Sequence, residues 1–106
     1  MTKAPWCPVA STVAVIGGRW KPTILFQMKD GPVRFNELRR RIPGITQRML
    51  TLQLRALEED GLIVRTVHGQ IPPHVDYAFT TRGLSLGPIL DAMELWGSEN
   101  APISNV

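Results

Sequence analysis

Apolar residues recur along this chain at spacings of three and four, interrupted once by a β-rich stretch. Val9, Ala10, Val13, Ala14 and Ile16 lay down two apolar stripes that stop at Gly17-Gly18. That spacing predicts a first helix opened by Pro8, whose missing N–H costs nothing at the first helical position. A helix apolar on two sides needs two partners, one of them a second subunit. Ile24, Leu25 and Met28 share one face of a second helix over Trp20–Lys29, with Pro22 tolerated in its first turn. Asp30-Gly31-Pro32 breaks it, and Val33-Arg34-Phe35 is long enough only for a strand stub. Asn36 reads as the N-cap of a short helix over Glu37–Ile42, which Pro43-Gly44 ends.

Thr46 reads as the cap of the longest helix, with Ile45 and Leu50 placed as a hydrophobic staple. Leu50, Leu54 and Leu57 fall within about 60° of one another at helical pitch, a narrow stripe for burial, and Gly61 stops the helix. Leu62–Val67 and Val75–Thr80 are β-rich runs flanking a loop with Gly69, Pro72 and Pro73, which predicts a hairpin. From Thr81 or Arg82 the helical spacing returns through Leu86, Ile89, Leu90, Met93 and Trp96 up to Gly97. Pro88 within it implies a helix start or a kink, and Ser98–Val106 reads as a frayed tail. The expected class is α+β, mainly helical. A short helix, a tight turn, a longer helix and a hairpin make a winged helix-turn-helix, with additional N- and C-terminal helices.

Length and composition narrow the function. The 106 residues suit one domain over 1–106 with its core at 7–97. No apolar run approaches the ~18 residues that span a bilayer, and residues 1–6 lack the apolar segment of a signal peptide, so a cytoplasmic protein is expected. A single cysteine, Cys7, excludes an intrachain disulfide and a multi-thiolate metal site. His68 and His74 flank the wing, but Asp76 alone does not complete a coordination shell, so neither metal nor cofactor is expected. No phosphate loop, catalytic triad or paired carboxylates beyond Glu58-Glu59 point to an enzyme. Net charge is only +3, but it is segregated: residues 1–57 carry ten basic and two acidic residues, residues 58–106 two basic and seven acidic. One half can face a polyanion and the other cannot.

Opposite the leucine stripe, the long helix presents Gln47, Arg48, Thr51, Leu52 and Arg55, and Thr46 at its start joins them as a DNA-binding candidate. Arginine suits guanine, glutamine suits adenine, and threonine or leucine suits the thymine methyl. Leu52 on a polar face needs something to touch, either a base or a neighbouring helix. Arg39, Arg40 and Arg41 on the preceding helix, with Arg34 nearby, lie where phosphates of double-stranded DNA would pass. Competing readings are a winged helix used only for protein contacts and a thiol-dependent redox enzyme.

The residues also resemble a known family. Cys7-Pro8, Ile16-Gly17-Gly18-Arg19-Trp20, Gly31-Pro32-x-Arg34-Phe35-Asn36-Glu37-Leu38 and Ile42-Pro43-Gly44-Ile45 are similar to the HxlR-type transcriptional regulators. So are Leu54-x-x-Leu57-Glu58-x-x-Gly61-Leu62, Pro72-Pro73, Tyr77 and Leu90 to Gly97, so the resemblance covers Cys7 to Gly97. It implies a bacterial-type homodimer joined through the first and last helices, with Thr46–Asp60 as recognition helix and the hairpin as wing. The candidate dimer residues are Val9, Val13, Ile16, Leu86, Leu90, Met93 and Trp96, and the implied operator is an inverted repeat. The wing departs from the family, which often has an aromatic near His68, an acidic residue near Gln70 and an arginine at His74. With no Lys or Arg between Arg65 and Arg82, this wing should grip phosphate weakly. Some family members use a cysteine placed like Cys7 to sense quinones, aldehydes or other oxidants, which would make a small electrophile or oxidant the inducer. Cys7 beside Pro8 sits at a helix N-terminus, where the dipole and free N–H groups favour a thiolate. The other reading of Cys7 is a small packed hydrophobe.

Overall fold

A computed structural model describes residues 6–69 and 71–101. The chain runs through α1 (Pro8–Ile16), α2 (Lys21–Gln27), β1 (Val33–Arg34), α3 (Phe35–Arg41), α4 (Gln47–Glu59), β2 (Ile63–His68), β3 (His74–Phe79), α5 (Thr81–Leu84) and α6 (Gly87–Asn100). The strands form one antiparallel sheet in the order β1-β3-β2. Helices precede and follow a hairpin that packs beside α4, which is the winged helix-turn-helix expected from the sequence.

The core explains the element positions. Ile24, Leu25 and Met28 from α2 and its end, Leu38 from α3, and Leu50, Leu54 and Leu57 from α4 are all buried against Ile42, Ile45, Leu62 and Tyr77. Each such side chain contributes about 1.5–3 kcal/mol when fully buried, so the α4 stripe alone firmly orients that helix. Its ends are as well defined as its inner face. Thr46 Oγ accepts from the Met49 N–H at 3.0 Å, closing the N-terminus. At the other end Gly61, at φ +73°, donates to Glu58 O, and Leu62 N donates to Leu57 O. That pair of bonds is the Schellman closure, and Leu62 lands in the core on Leu57's side. The Arg82 guanidinium adds a bond from Nε to Asp60 O at 2.9 Å.

Several sequence expectations shift. Asn36 does not cap α3. Pairing of Arg34 with Asp76 carries β1 to the helix start, Arg34 occupies the cap position, and Phe35 and Leu38 turn inward one helical step apart. Burying those two side chains outweighs the cap bond Asn36 could have made. The expected strands move by one residue because Leu62 is held by the α4 closure and Thr80 by capping α5, accepting from Gly83 N at 3.0 Å. Of the two roles open to Pro88, the structure takes the first: α5 ends, and α6 begins at Gly87 with Pro88 in its first turn. That helix continues through Ser98–Asn100, past the expected stop at Gly97. The rest of the tail reading, residues 102–106, lies outside the described residues, as does Gln70 in the wing loop. Among the described residues no helix is long and apolar enough to cross a membrane.

Candidate nucleic-acid interface

The buried leucine stripe turns the opposite face of α4 outward. Gln47, Arg48, Leu52 and Arg55 are exposed there, and with Thr51 they line one groove of about 510 Å³. Leu52 is 50% exposed, so the reading in which it packs on a neighbouring helix of its own chain fails. Thr51 is less free than its neighbours, because its hydroxyl donates to Gln47 O at 2.9 Å and retains only acceptor capacity toward a ligand. Thr46 is exposed beside them, but its oxygen already serves the Met49 N–H.

A second groove, of about 590 Å³, separates this face from the sheet and is lined by Gln47, Thr51, Arg55, Glu58, Arg65, Val75 and Tyr77 together with Phe35. Arg65 was not among the sequence candidates. Its partner in the ladder is Tyr77, whose ring is buried, so strand alternation puts Arg65 on the helix-facing side of the sheet. Register was the missing signal, since an isolated strand arginine does not declare its face.

The three arginines of α3 are not equivalent. Glu37 binds both Arg40 and Arg41, the latter through Nε at 3.0 Å. The Arg41 hydrogen bond, helped by the charge of Arg40 and opposed by partial desolvation, holds the Glu37 carboxyl below its usual range. Arg41 also donates from Nη1 to Gln27 O at 2.8 Å, tying α3 to the end of α2. A side chain with that task is less available to phosphate than the sequence reading assumed. Arg39 and Arg34 are exposed and make no ion pair among the described residues.

On the wing, the register brings together what spacing left apart. His68 and His74 are directly opposed on the outermost rung of the β2–β3 ladder, their rings stacked with centroids 4.4 Å apart. Asp76 lies two residues along β3 on the same face, with Oδ2 at 2.8 Å from His68 Nε2 and Oδ1 at 3.8 Å from His74 Nε2. The sequence set only Asp76 beside the two histidines; the register brings these three donor side chains together on one face.

The candidate subunit-contact residues divide. Ile16, Leu86 and Leu90 are buried in the protomer's own core, which removes them from that set. They are inner-face positions of α1, the α5–α6 junction and α6, and the same chain covers them. Val9, Val13, Met93 and Trp96 are exposed, at 71%, 58%, 45% and 65%, with Ile89 and Leu95 beside them. Ile16 is the one buried residue of α1. Cys7 caps α1, its exposed Sγ accepting from Ala10 N at 3.5 Å.

Comparison with known proteins gives a consistent picture. The family described as HxlR-like helix-turn-helix matches residues 15–105. The HTH-type transcriptional regulator YybR of Bacillus subtilis is 53% identical over 97 residues, 92% of this chain and 78% of that protein. Among solved structures, the redox regulator HypR in its oxidized form superposes with a TM-score of 0.87 at 52% identity, covering 92% of this chain and all of that one. The reduced form of the transcriptional regulator YodB from B. subtilis superposes at 0.78 with 31% identity, covering 95% and 100% of the two chains.

Proposed function

This chain belongs to the HxlR-like helix-turn-helix family and is a transcriptional regulator rather than an enzyme, and we propose that it acts in the cytoplasm as a homodimer binding an inverted repeat in double-stranded DNA. The observation that carries this reading is the outer face of α4. A capped, core-anchored helix holds Gln47, Arg48, Leu52 and Arg55 outward in one groove, with an apolar residue set among base-reading side chains. A module used only for protein contacts would have no need of that combination. Arg65 lines the second groove beside Gln47, Thr51 and Arg55, and Arg39 and Arg34, exposed and free of ion pairs among the described residues, add charge for phosphates.

Dimerisation is supported by apolar surface that the protomer does not cover. Val9 and Val13 on α1 and Ile89, Met93, Leu95 and Trp96 on α6 belong to the first and last helices, leaving the reading face free. Two copies of α4 would then meet half-sites about 34–36 Å apart, one turn of DNA. The buried residues from Ile16 to Leu90 form one cluster, which supports treating residues 1–106 as a single domain with its core at 7–97.

Mobility shift with the DNA flanking the protein's own gene tests the reading. Arg48→Ala should weaken specific binding by about 1–3 kcal/mol and relax preference at one base pair. Arg39→Ala should weaken specific and random DNA alike and reduce the salt dependence. Equal effects of both substitutions on both DNAs, or no shift by the wild type, would refute it.

A second role rests on Cys7: sensing of an oxidant or electrophile that alters DNA binding. Its thiol is exposed and caps the helix that carries Val9 and Val13, and two of the matched structures are the redox regulator HypR, one in its oxidised and one in its reduced form. With one cysteine per chain, oxidation can end only in a cross-link between protomers, a mixed disulfide with a small thiol, or the oxyacids of that sulfur.

A further inference from the structure

We propose that His68, His74 and Asp76 form a binding site for one divalent transition-metal ion of the zinc class at the outer end of the wing. One donor atom from each residue lies within 4.8 Å of the other two. Tetrahedral zinc with bonds of about 2.0–2.2 Å wants its ligand atoms roughly 3.3 Å apart, so the most separated pair must close by up to about 1.5 Å while His68 Nε2 and Asp76 Oδ2, at 2.8 Å, move slightly apart. The backbone already does most of the work. Direct opposition of His68 and His74 puts both imidazoles on one face, and strand alternation returns Asp76 to that face. Only side-chain rotation remains.

The donor set selects the ion. Two imidazoles and one carboxylate suit zinc and its first-row neighbours, whereas calcium and magnesium prefer oxygen throughout. Three protein ligands leave a coordination position for water, and the half-buried side chains leave solvent a route to it. The ion would replace the hydrogen bond between His68 Nε2 and Asp76 Oδ2: the Nε2 proton passes through water to Nδ1, so each imidazole binds neutral through Nε2 with its one proton on Nδ1 and no net proton is released. No electron changes hands. The other members of this sheet row are Thr66 on β2 and Arg34 on β1, both opposite Asp76. Arg34 makes no ion pair with Asp76 in the structure, so the carboxylate is not already neutralised by it.

Occupation would tie the two strands at the rung that borders the wing loop and turn the local charge from −1 to +1. The wing has no Lys or Arg between Arg65 and Arg82, so the ion would be its positive charge there. Any gain in DNA affinity from this rests on the function proposed above, but binding of the ion does not.

The test uses untagged full-length protein, stripped with a chelator, held reduced and titrated with zinc chloride against a chromogenic chelator, with no DNA present. One equivalent per protomer is expected for the wild type and for Cys7→Ser. His74→Gln and Asp76→Asn should each weaken binding by more than the roughly 10–100-fold that removing an outer partner costs. No binding by the wild type, undiminished binding by both ligand variants, or loss in Cys7→Ser alone would overturn the site. A reading independent of the variants' folding is the proton spectrum of the wild type. Zinc should move the ring resonances of both histidines, and an unmoved pair would overturn it too. A mobility shift repeated with and without zinc then separates the two claims, because DNA binding that persists in chelator while zinc fails to bind sinks only this site.

Discussion

Replacing Thr46 by alanine removes one acceptor from the entrance of α4 and nothing from the core, so its consequence can be worked from the structure. The lost bond is that from Met49 N to Thr46 Oγ at 3.0 Å, while the backbone bond from Leu50 N to Thr46 O at 2.9 Å remains. Position three of the helix is Met49 and not an acid, so no reciprocal side-chain bond is lost with it. Cap losses run from about 0.5 to 2 kcal/mol; here the orphaned N–H sits at an exposed helix end where water can reach it, so about 1 kcal/mol is expected. With a urea slope of about 1–2 kcal/mol per molar for a chain this size, the unfolding midpoint should fall by about 0.5–1 M. Thr46→Ser keeps the oxygen and should stay near the wild type. Gln47 and Arg48 occupy the turn that frays, and 1 kcal/mol is roughly a fivefold change in an equilibrium. Specific DNA affinity should therefore fall by no more than about fivefold through loss of helix order. A serine variant as unstable as the alanine variant, or an alanine variant as stable as the wild type, would refute the capping argument. An affinity loss well beyond fivefold would instead assign Thr46 a contact to phosphate of its own.

Other substitutions test other joints. Glu37→Gln should free Arg40 while Arg41 stays tied to Gln27 O, raising affinity for random DNA and steepening its salt dependence by up to about one phosphate, measured by titration at several salt concentrations. The same change should flatten the acid limb of the stability curve. The Glu37 carboxyl is depressed from its ordinary value of 4.5, chiefly by Arg41, so its contribution is present above that pH and is lost as the pH falls through the depressed value. Equal acid sensitivity of the two proteins would show the ion pairs to be idle. Gly83→Ala would set a Cβ 2.0 Å from Leu62 O and 2.7 Å from a Phe79 ring carbon, so α5 must lift off the sheet. Thermal unfolding should register a cost of about 3 kcal/mol or more, at or above the top of the usual overpacking range. Cys7→Ser should leave DNA binding unchanged in reducing buffer, serine being a good cap. Diamide should then alter the wild type's affinity and not the variant's, and equal responses would return Cys7 to a purely structural role. Light scattering should give a dimer that Val13→Asp weakens, and a monomeric wild type at micromolar concentration would refute the proposed assembly.

The sequence alone determined what depends on neighbours in the chain. Helix period, the Thr46 cap, the Gly61 stop and the leucine stripe of α4 are local, each decided within a turn or two of backbone, and so the outward set of Gln47, Arg48, Leu52 and Arg55 followed by subtraction. The tertiary structure decided whatever depended on which surfaces meet. Ile16, Leu86 and Leu90 have the same periodic signature as Val13 and Met93, yet three are core and two are exposed, because periodicity reports that a face is apolar and not what covers it. Asn36 lost its cap position to the pairing of Arg34 with Asp76, a contact across more than forty residues of chain. The arginine run split by the same logic, Arg41 turning to Gln27 on another helix while Arg39 stayed free of ion pairs among the described residues. The convergence of His68, His74 and Asp76 needed the hairpin register, since a slip of one residue would send every side chain of a strand to the other face.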